Sequence, residues 1–188
     1  MTLDDFIDFE KKWEGGLSRN SSDSASKTPC PTPFNGKMGW HTNAGITYSV
    51  WRKQFGKTND QRFFGMSNDD WFTVFDSLYY SKVRAGEFHS ASVGFMITTI
   101  AWGSGARQAG LTLQRAINQK GGHVSVDGTI GDRTIEAANA IPPRELFDEL
   151  VKQRAAFFQR IGKGKNALFL KGWMNRLNAF AKAFRPSV

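Results

Sequence analysis

Leu3-Asp4-Asp5-Phe6-Ile7-Asp8-Phe9-Glu10-Lys11-Lys12-Trp13-Glu14-Gly15-Gly16 decides how this chain is read. Leu3, Ile7 and Glu14 recur at helical spacing and share one face. Thr2 with Asp5 reads as a capping box at the start. Gly15 suits the left-handed position that stops a helix. The spacing therefore predicts an amphipathic helix over 2–14 that carries a carboxylate on its last turn.

The same periodicity runs through most of the chain. It predicts further helices over 44–55, 67–81, 91–102, 107–119, 132–140, 143–161 and 166–184. Ser67 with Asp69 and Asp70 suits a helix N-terminus, and Pro143 suits a first helical turn. Val93 to Trp102 is apolar on most faces, as a central buried helix requires. Two long stripes read as core. One holds Phe147, Leu150, Val151, Phe157, Phe158 and Ile161; the other holds Leu168, Phe169, Trp173, Leu177, Phe180 and Phe184. Residues 16–47 break the pattern. They are rich in Ser, Pro, Gly, Asn and Thr, which marks a long loop or a small β-hairpin. The fold class expected is mainly α, with that one irregular region. Gly-Ser-Gly near Gly103 reads as a subdomain seam.

Composition narrows the chemistry. Of 188 residues, 40% are hydrophobic and 13% aromatic, enough for a real core and too many for disorder. One cysteine, Cys30, excludes an intramolecular disulfide. His41, His89 and His123 are scattered, with no metal-ligand spacing, and no metal or cofactor is expected. No apolar run reaches the ~18 residues of a membrane span. The start is acidic and lacks the apolar stretch of a signal peptide, so synthesis in the cytoplasm is expected. The net charge of +8 is uneven: from Arg144 onward ten Lys or Arg face three acids. Such a surface favours an anionic partner, either nucleic acid or a cell wall, or serves solubility alone.

Four constellations could carry chemistry. Glu14 is the first. A carboxyl facing packed side chains resists ionisation, as a general acid must near neutral pH. Asp23, nine residues on in Ser-rich loop, could face it across a cleft. Two carboxyls in unequal environments suit glycosidic cleavage. The plain alternatives are a solvated helix-end Glu and a turn Asp. In Gly39-Trp40-His41-Thr42-Asn43-Ala44-Gly45-Ile46-Thr47, a Trp, a His and two hydroxyls precede a helix; the Trp40 face could stack on a sugar ring, and the Thr42 and Thr47 hydroxyls could position a water. Alternatively, this is a tight turn with Thr47 as the helix N-cap. Val126 to Thr134 reads as a turn between helices, through Asp127-Gly128 and Ile130-Gly131. In Lys171-Gly172-Trp173-Met174-Asn175-Arg176, Trp173 and Arg176 are helical neighbours, with core packing the plainer reading.

In this order, these motifs resemble glycoside hydrolase family 108, lysozyme-like N-acetylmuramidases that include endolysins and secretion activators. The family's Glu-Gly-Gly is matched by Glu14-Gly15-Gly16, and its following Asp by Asp23. Its Gly-Gly-x-Thr-x-x-Gly-Ile-Thr element is matched by Gly39, Thr42, Gly45, Ile46 and Thr47, with Trp40 in place of the second Gly. The downstream part resembles the companion peptidoglycan-binding segment. It is matched by Leu113-Gln114-Arg115-Ala116, Asp127-Gly128, Gly131, Thr134, Gly172, Trp173 and Arg176.

The resemblance implies a lysozyme-like fold with Glu14 as proton donor, cleaving between N-acetylmuramic acid and N-acetylglucosamine. It implies Asp23 and Thr42 or Thr47 as its helpers, and Trp40, His41, Asp127 and Trp173 as substrate contacts. A catalytic part over 1–102 and a peptidoglycan-binding part over 103–188 are expected, packed as one monomeric unit. The partner would be peptidoglycan glycan strands, met in the periplasm or cell wall, with phage or prophage release as one route out. A non-catalytic module of the same fold is the alternative. Nucleic-acid binding rests on charge alone, since no phosphate cradle or aromatic strand platform accompanies it.

Overall fold

The computed structural model describes residues 2–20, 24–27, 30–31, 39–56 and 60–187. Among these the chain is mainly α-helical, with one small antiparallel hairpin. Packing divides it into two compact units, Leu3–Ser77 and Leu78–Val188, the latter together with Thr2.

The first unit opens with α1 (Leu3–Glu14). A short 3-10 turn, Ser24–Lys27, follows, then β1 (Thr42–Asn43) and β2 (Ile46–Thr47). Next come α2 (Tyr48–Phe55), α3 (Asp60–Phe64) and α4 (Asn68–Phe75). Its core is aromatic. Phe6, Trp51, Phe63, Trp71 and Phe75 are fully buried. Phe6 meets Phe75 edge-on at 5.7 Å, and Trp71 stacks on Phe75 at 4.7 Å. Such pairs add about 0.5–1.5 kcal/mol each beyond their buried area.

The helix expected from residue 44 begins instead at Tyr48. Ala44 and Gly45 both sit at positive φ, 46° and 78°, which makes a hairpin turn and forbids helix there. Helix α3 has no counterpart among the expected helices; five residues are too short to display a period. The helix expected over 67–81 ends at Phe75 and passes into a π-helical segment, Asp76–Tyr80. Its predicted start holds: the Ser67 hydroxyl accepts from Asp70 N at 3.1 Å.

The second unit contains α5 (Ala91–Ser104), α6 (Ala106–Gln119), α7 (Asp132–Asn139), α8 (Pro143–Ile161) and α9 (Ala167–Phe184). Helix α5 is the central one, buried almost all round, and packs on α6 and α8. Pro143 opens α8 as its fixed φ favours. The Gly-Ser-Gly stretch is the tight junction between α5 and α6. The side chain of Arg154, from α8, donates to Ser104 Oγ at 2.8 Å, and a Cβ at Gly103 would meet its Nη2 at 2.9 Å. By packing alone, the compact units part at Ser77.

One predicted core stripe is covered over only half its length. Leu177, Phe180 and Phe184 are buried, with Phe180 stacked on Phe147. Leu168 is 74% exposed and Phe169 50%. The first turns of α9 are met by the end of α8, where Phe158 stacks on Trp173, and the stripe outruns the core.

Candidate active site

The first unit gathers most of the sequence-predicted site. Glu14 is the last residue of α1 and is half-buried. Gly15 follows at φ 69°, the left-handed conformation that ends the helix and that a side chain resists. The chain then runs straight into the hairpin. Ser18 forms an antiparallel bridge with Thr42, through Ser18 N to Thr42 O at 2.9 Å and His41 N to Ser18 O at 3.1 Å. Thr42 in turn pairs with Thr47 across the hairpin. Directly opposed residues on antiparallel strands project to the same face. One short sheet thus fixes the exit of α1 and both candidate threonines.

The hairpin is held from below. Asn43 Nδ2 donates to Phe63 O at 2.7 Å, and Trp71 Nε1 to Ala44 O at 2.9 Å. Tyr48, first in α2, bonds Asp60 through its hydroxyl. Burial, and then that carboxylate, raise its phenol above the ordinary tyrosine range.

The threonines are used differently. Thr47 caps α2, its hydroxyl oxygen accepting from Val50 N at 3.3 Å, so the capping role considered for it is present. Thr42 Oγ1 lies 3.1 Å from His41 Nδ1, while His41 Nε2 lies 3.2 Å from the Asn20 carbonyl. A carbonyl only accepts, which assigns the proton to Nε2. In the neutral ring Nδ1 is then an acceptor, and Thr42 donates its hydroxyl proton to it. The lone pairs of Thr42 Oγ1 are left for another donor.

His41 was expected to line a sugar subsite. It is 1% exposed, with its ring nitrogens beside Thr42 and the Asn20 carbonyl, and so has little surface to offer a sugar. Trp40 is half-buried, with the Arg19 guanidinium 5.8 Å over its ring and its Nε1 buried without a hydrogen-bond partner among the described residues. Asp23 lies outside the described residues. Glu10, one turn before Glu14 on the same face, is fully buried, a carboxyl that sequence reasoning missed. Its spacing from Phe6 and Glu14 is the signal that could have found it.

Asp127 and Trp173 belong to the second unit, and each has local work there. Asp127 Oδ1 accepts from Gln114 Nε2 at 2.8 Å and from Thr129 N at 2.7 Å. The Thr129 amide first, then Gln114, hold its carboxyl below the usual range. Gln114, 1% exposed, also donates to Thr129 O and accepts from Gly128 N. This clasp fastens the Asp-Gly turn onto α6. Gly110 permits the approach, since a Cβ there would meet Gly128 O at 2.2 Å. The Trp173 ring is engaged by stacks on Phe158 at 5.4 Å and Phe169 at 5.8 Å. Among the described residues no three His, Cys, Asp or Glu gather as a metal site.

Comparison with known proteins identifies two family segments in the chain. The family described as glycosyl hydrolase 108 matches residues 7–105, and one described as a predicted peptidoglycan domain matches residues 108–178. Among solved structures, SagA of Brucella abortus shares the fold, with a TM-score of 0.71 and 23% identity over 99% of this chain and 98% of that one. No curated protein matches in sequence. These matches define a class, a glycoside hydrolase coupled to a peptidoglycan domain. The chain belongs to the glycosyl hydrolase 108 family.

Proposed function

We propose that the protein is an N-acetylmuramidase that cleaves peptidoglycan between N-acetylmuramic acid and N-acetylglucosamine, with Glu14 as general acid. The observation that carries this reading is the junction of α1 with the hairpin. A half-buried carboxyl stands at the helix stop, and the strand leaving that stop pairs with the hairpin bearing two threonines.

Glu14 protonates the glycosidic oxygen as the bond to the anomeric carbon breaks. Asp23 stabilises the oxocarbenium ion or orients the incoming water from the opposite face. Thr42 holds that water. Its own hydroxyl hydrogen points to His41, so its oxygen accepts a hydrogen bond from the water and turns the water's lone pair toward the anomeric carbon, while the water's proton leaves to the Asp23 carboxylate or to solvent as the new C–O bond forms. His41 acts as a positioning residue, through Thr42. Trp40 lines a sugar subsite. The first part of the chain, 1–102, carries the chemistry, and 103–188 holds the wall, with Asp127 and Trp173 shaping that surface through the contacts described above. The protein acts as a monomer in the periplasm or cell wall.

The test uses purified peptidoglycan. Glu14→Gln is expected to abolish solubilisation, leaving less than about a thousandth of the rate, within the range expected for loss of a general acid. Mass analysis of the products should find muramic acid at the new reducing ends. Reducing-end glucosamine, or an undiminished Gln variant, would overturn the assignment.

A further inference from the structure

From Lys152 to Val188 the chain holds nine Lys or Arg and no Asp or Glu. In the middle of that stretch α8 turns into α9 through residues 162–166. At the turn two adjacent apolar side chains, Leu168 and Phe169, stand in water at 74% and 50% exposure. Phe169 stacks on Trp173, which in turn stacks on Phe158, so the phenylalanine is held against an aromatic base. Around them Lys163, Lys165 and Lys171 are exposed, and no ion pair engages these lysines among the described residues. A single exposed leucine is ordinary. An exposed apolar pair with one member stacked on an aromatic base, flanked in sequence by exposed lysines with no acid in the stretch, is a contact surface.

Chemistry selects the partner. A glycan strand is gripped by open ring faces and by hydrogen-bonding groups. Leu168 supplies neither, the Trp173 ring is already engaged in two stacks, and Phe169, stacked on Trp173 through one face, carries no hydrogen-bonding group. An anionic bilayer supplies what both halves of the patch lack: phosphates for the lysines and an acyl boundary for leucine and phenylalanine. We propose that the α8–α9 turn docks the protein on an anionic lipid surface, with Leu168 and Phe169 entering the headgroup–acyl boundary and Lys163, Lys165 and Lys171 on the headgroup phosphates. The contact is peripheral; no helix among the described residues is long and apolar enough to cross a membrane.

The experiment is co-sedimentation of the full chain with vesicles of phosphatidylcholine alone and of phosphatidylcholine mixed with phosphatidylglycerol. Binding is expected on the mixed vesicles, and should weaken as salt rises. Leu168→Ser should lower the partition coefficient about tenfold, the value of one leucine side chain leaving water. Lys163→Gln with Lys165→Gln should lower it about thirtyfold. All the substituted side chains are exposed, so circular dichroism should be unchanged. Equal binding to both vesicle types, variants that bind like the parent, or a parent that stays in the supernatant would overturn the proposal. So would binding to isolated wall that needs the lysines but ignores Leu168, with none to vesicles. Wall digestion by the same preparations reads the muramidase assignment separately, since vesicle docking does not depend on it.

Discussion

With a neutral ring, His41 Nδ1 accepts a hydrogen bond from the Thr42 hydroxyl, because the Asn20 carbonyl beside Nε2 needs the ring's N–H. On the proposed mechanism that contact favours Thr42 over Thr47 as the residue that holds the water. Thr42→Ala should remove the water's acceptor and lower kcat about a hundredfold, the scale of a misplaced reactant, with KM nearly unchanged. Thr47→Ala should act on stability instead, costing about 1 kcal/mol of the α2 cap while leaving kcat within a few-fold. His41→Phe fills the space without the acceptor, so kcat should fall about tenfold or more while thermal stability changes less than kcat does. His41→Gln, which can both donate and accept, should recover part of the loss. Equal rates in all four proteins would remove this contact from the mechanism. The sequence placed Trp40, His41, Thr42 and Thr47 in one segment because their types suggested a site. It could not show which side chains face out, since the Ser18 bridge that orients the segment comes from a residue with no signature of its own.

At the scale of the element, periodicity was readable wherever a helix was long enough to repeat. Helices α1 and α5 to α8 begin and end within about two residues of their predicted bounds, inside the ordinary spread of boundary assignment. Failures occurred where local conformation overrode propensity. Ala44 is a strong helix former held at φ 46° in a hairpin turn, and the apolar opening of α9 lies outside the core although its pattern is that of a buried stripe. Glycine shows the same division between what type says and what position decides. Gly110 is enclosed: Gly110→Ala drives a Cβ to 2.2 Å from the Gly128 carbonyl, backbone against backbone. A loss of about 3 kcal/mol is expected, at the upper end for overpacking. Gly172 lies inside α9, where an added Cβ would meet nothing within 4 Å. Gly172→Ala should raise stability by about 0.5–1 kcal/mol, because it reduces the freedom of the unfolded chain at no steric cost. Opposite shifts in denaturation midpoint check the pair; a drop for Gly172→Ala would contradict the account of α9.

Over the whole molecule, acid carries the clearest signature. Asp70, Glu87, Asp127 and Asp148 are all held below their ordinary range in the folded protein. For Asp70 the first cause is the Arg62 guanidinium, 2.6 Å away; for Glu87 it is Arg84, for Asp148 Arg185, and for Asp127 the Thr129 amide. A depressed carboxyl pKa means that the unfolded chain takes up protons first as pH falls. The stabilisation is therefore whole above the ordinary Asp and Glu values, about 4, and is lost as pH drops through and below them. Protonation also raises an already large net charge of +8, so self-repulsion adds on the same side. Thermal midpoints should be flat from about pH 5 to 7 and fall steeply below about pH 4. Asp70 offers the sharpest single test, since its side chain is 13% exposed while Arg62 also packs over Phe55 at 4.6 Å. Asp70→Asn should lower the midpoint near neutrality. The difference from the parent should then shrink as acid protonates Asp70 in the parent and removes the advantage of its charge. A gap that stayed constant from pH 7 to about 2.5 would show that Asp70 stabilises through packing or capping and not through its ionised pairing with Arg62.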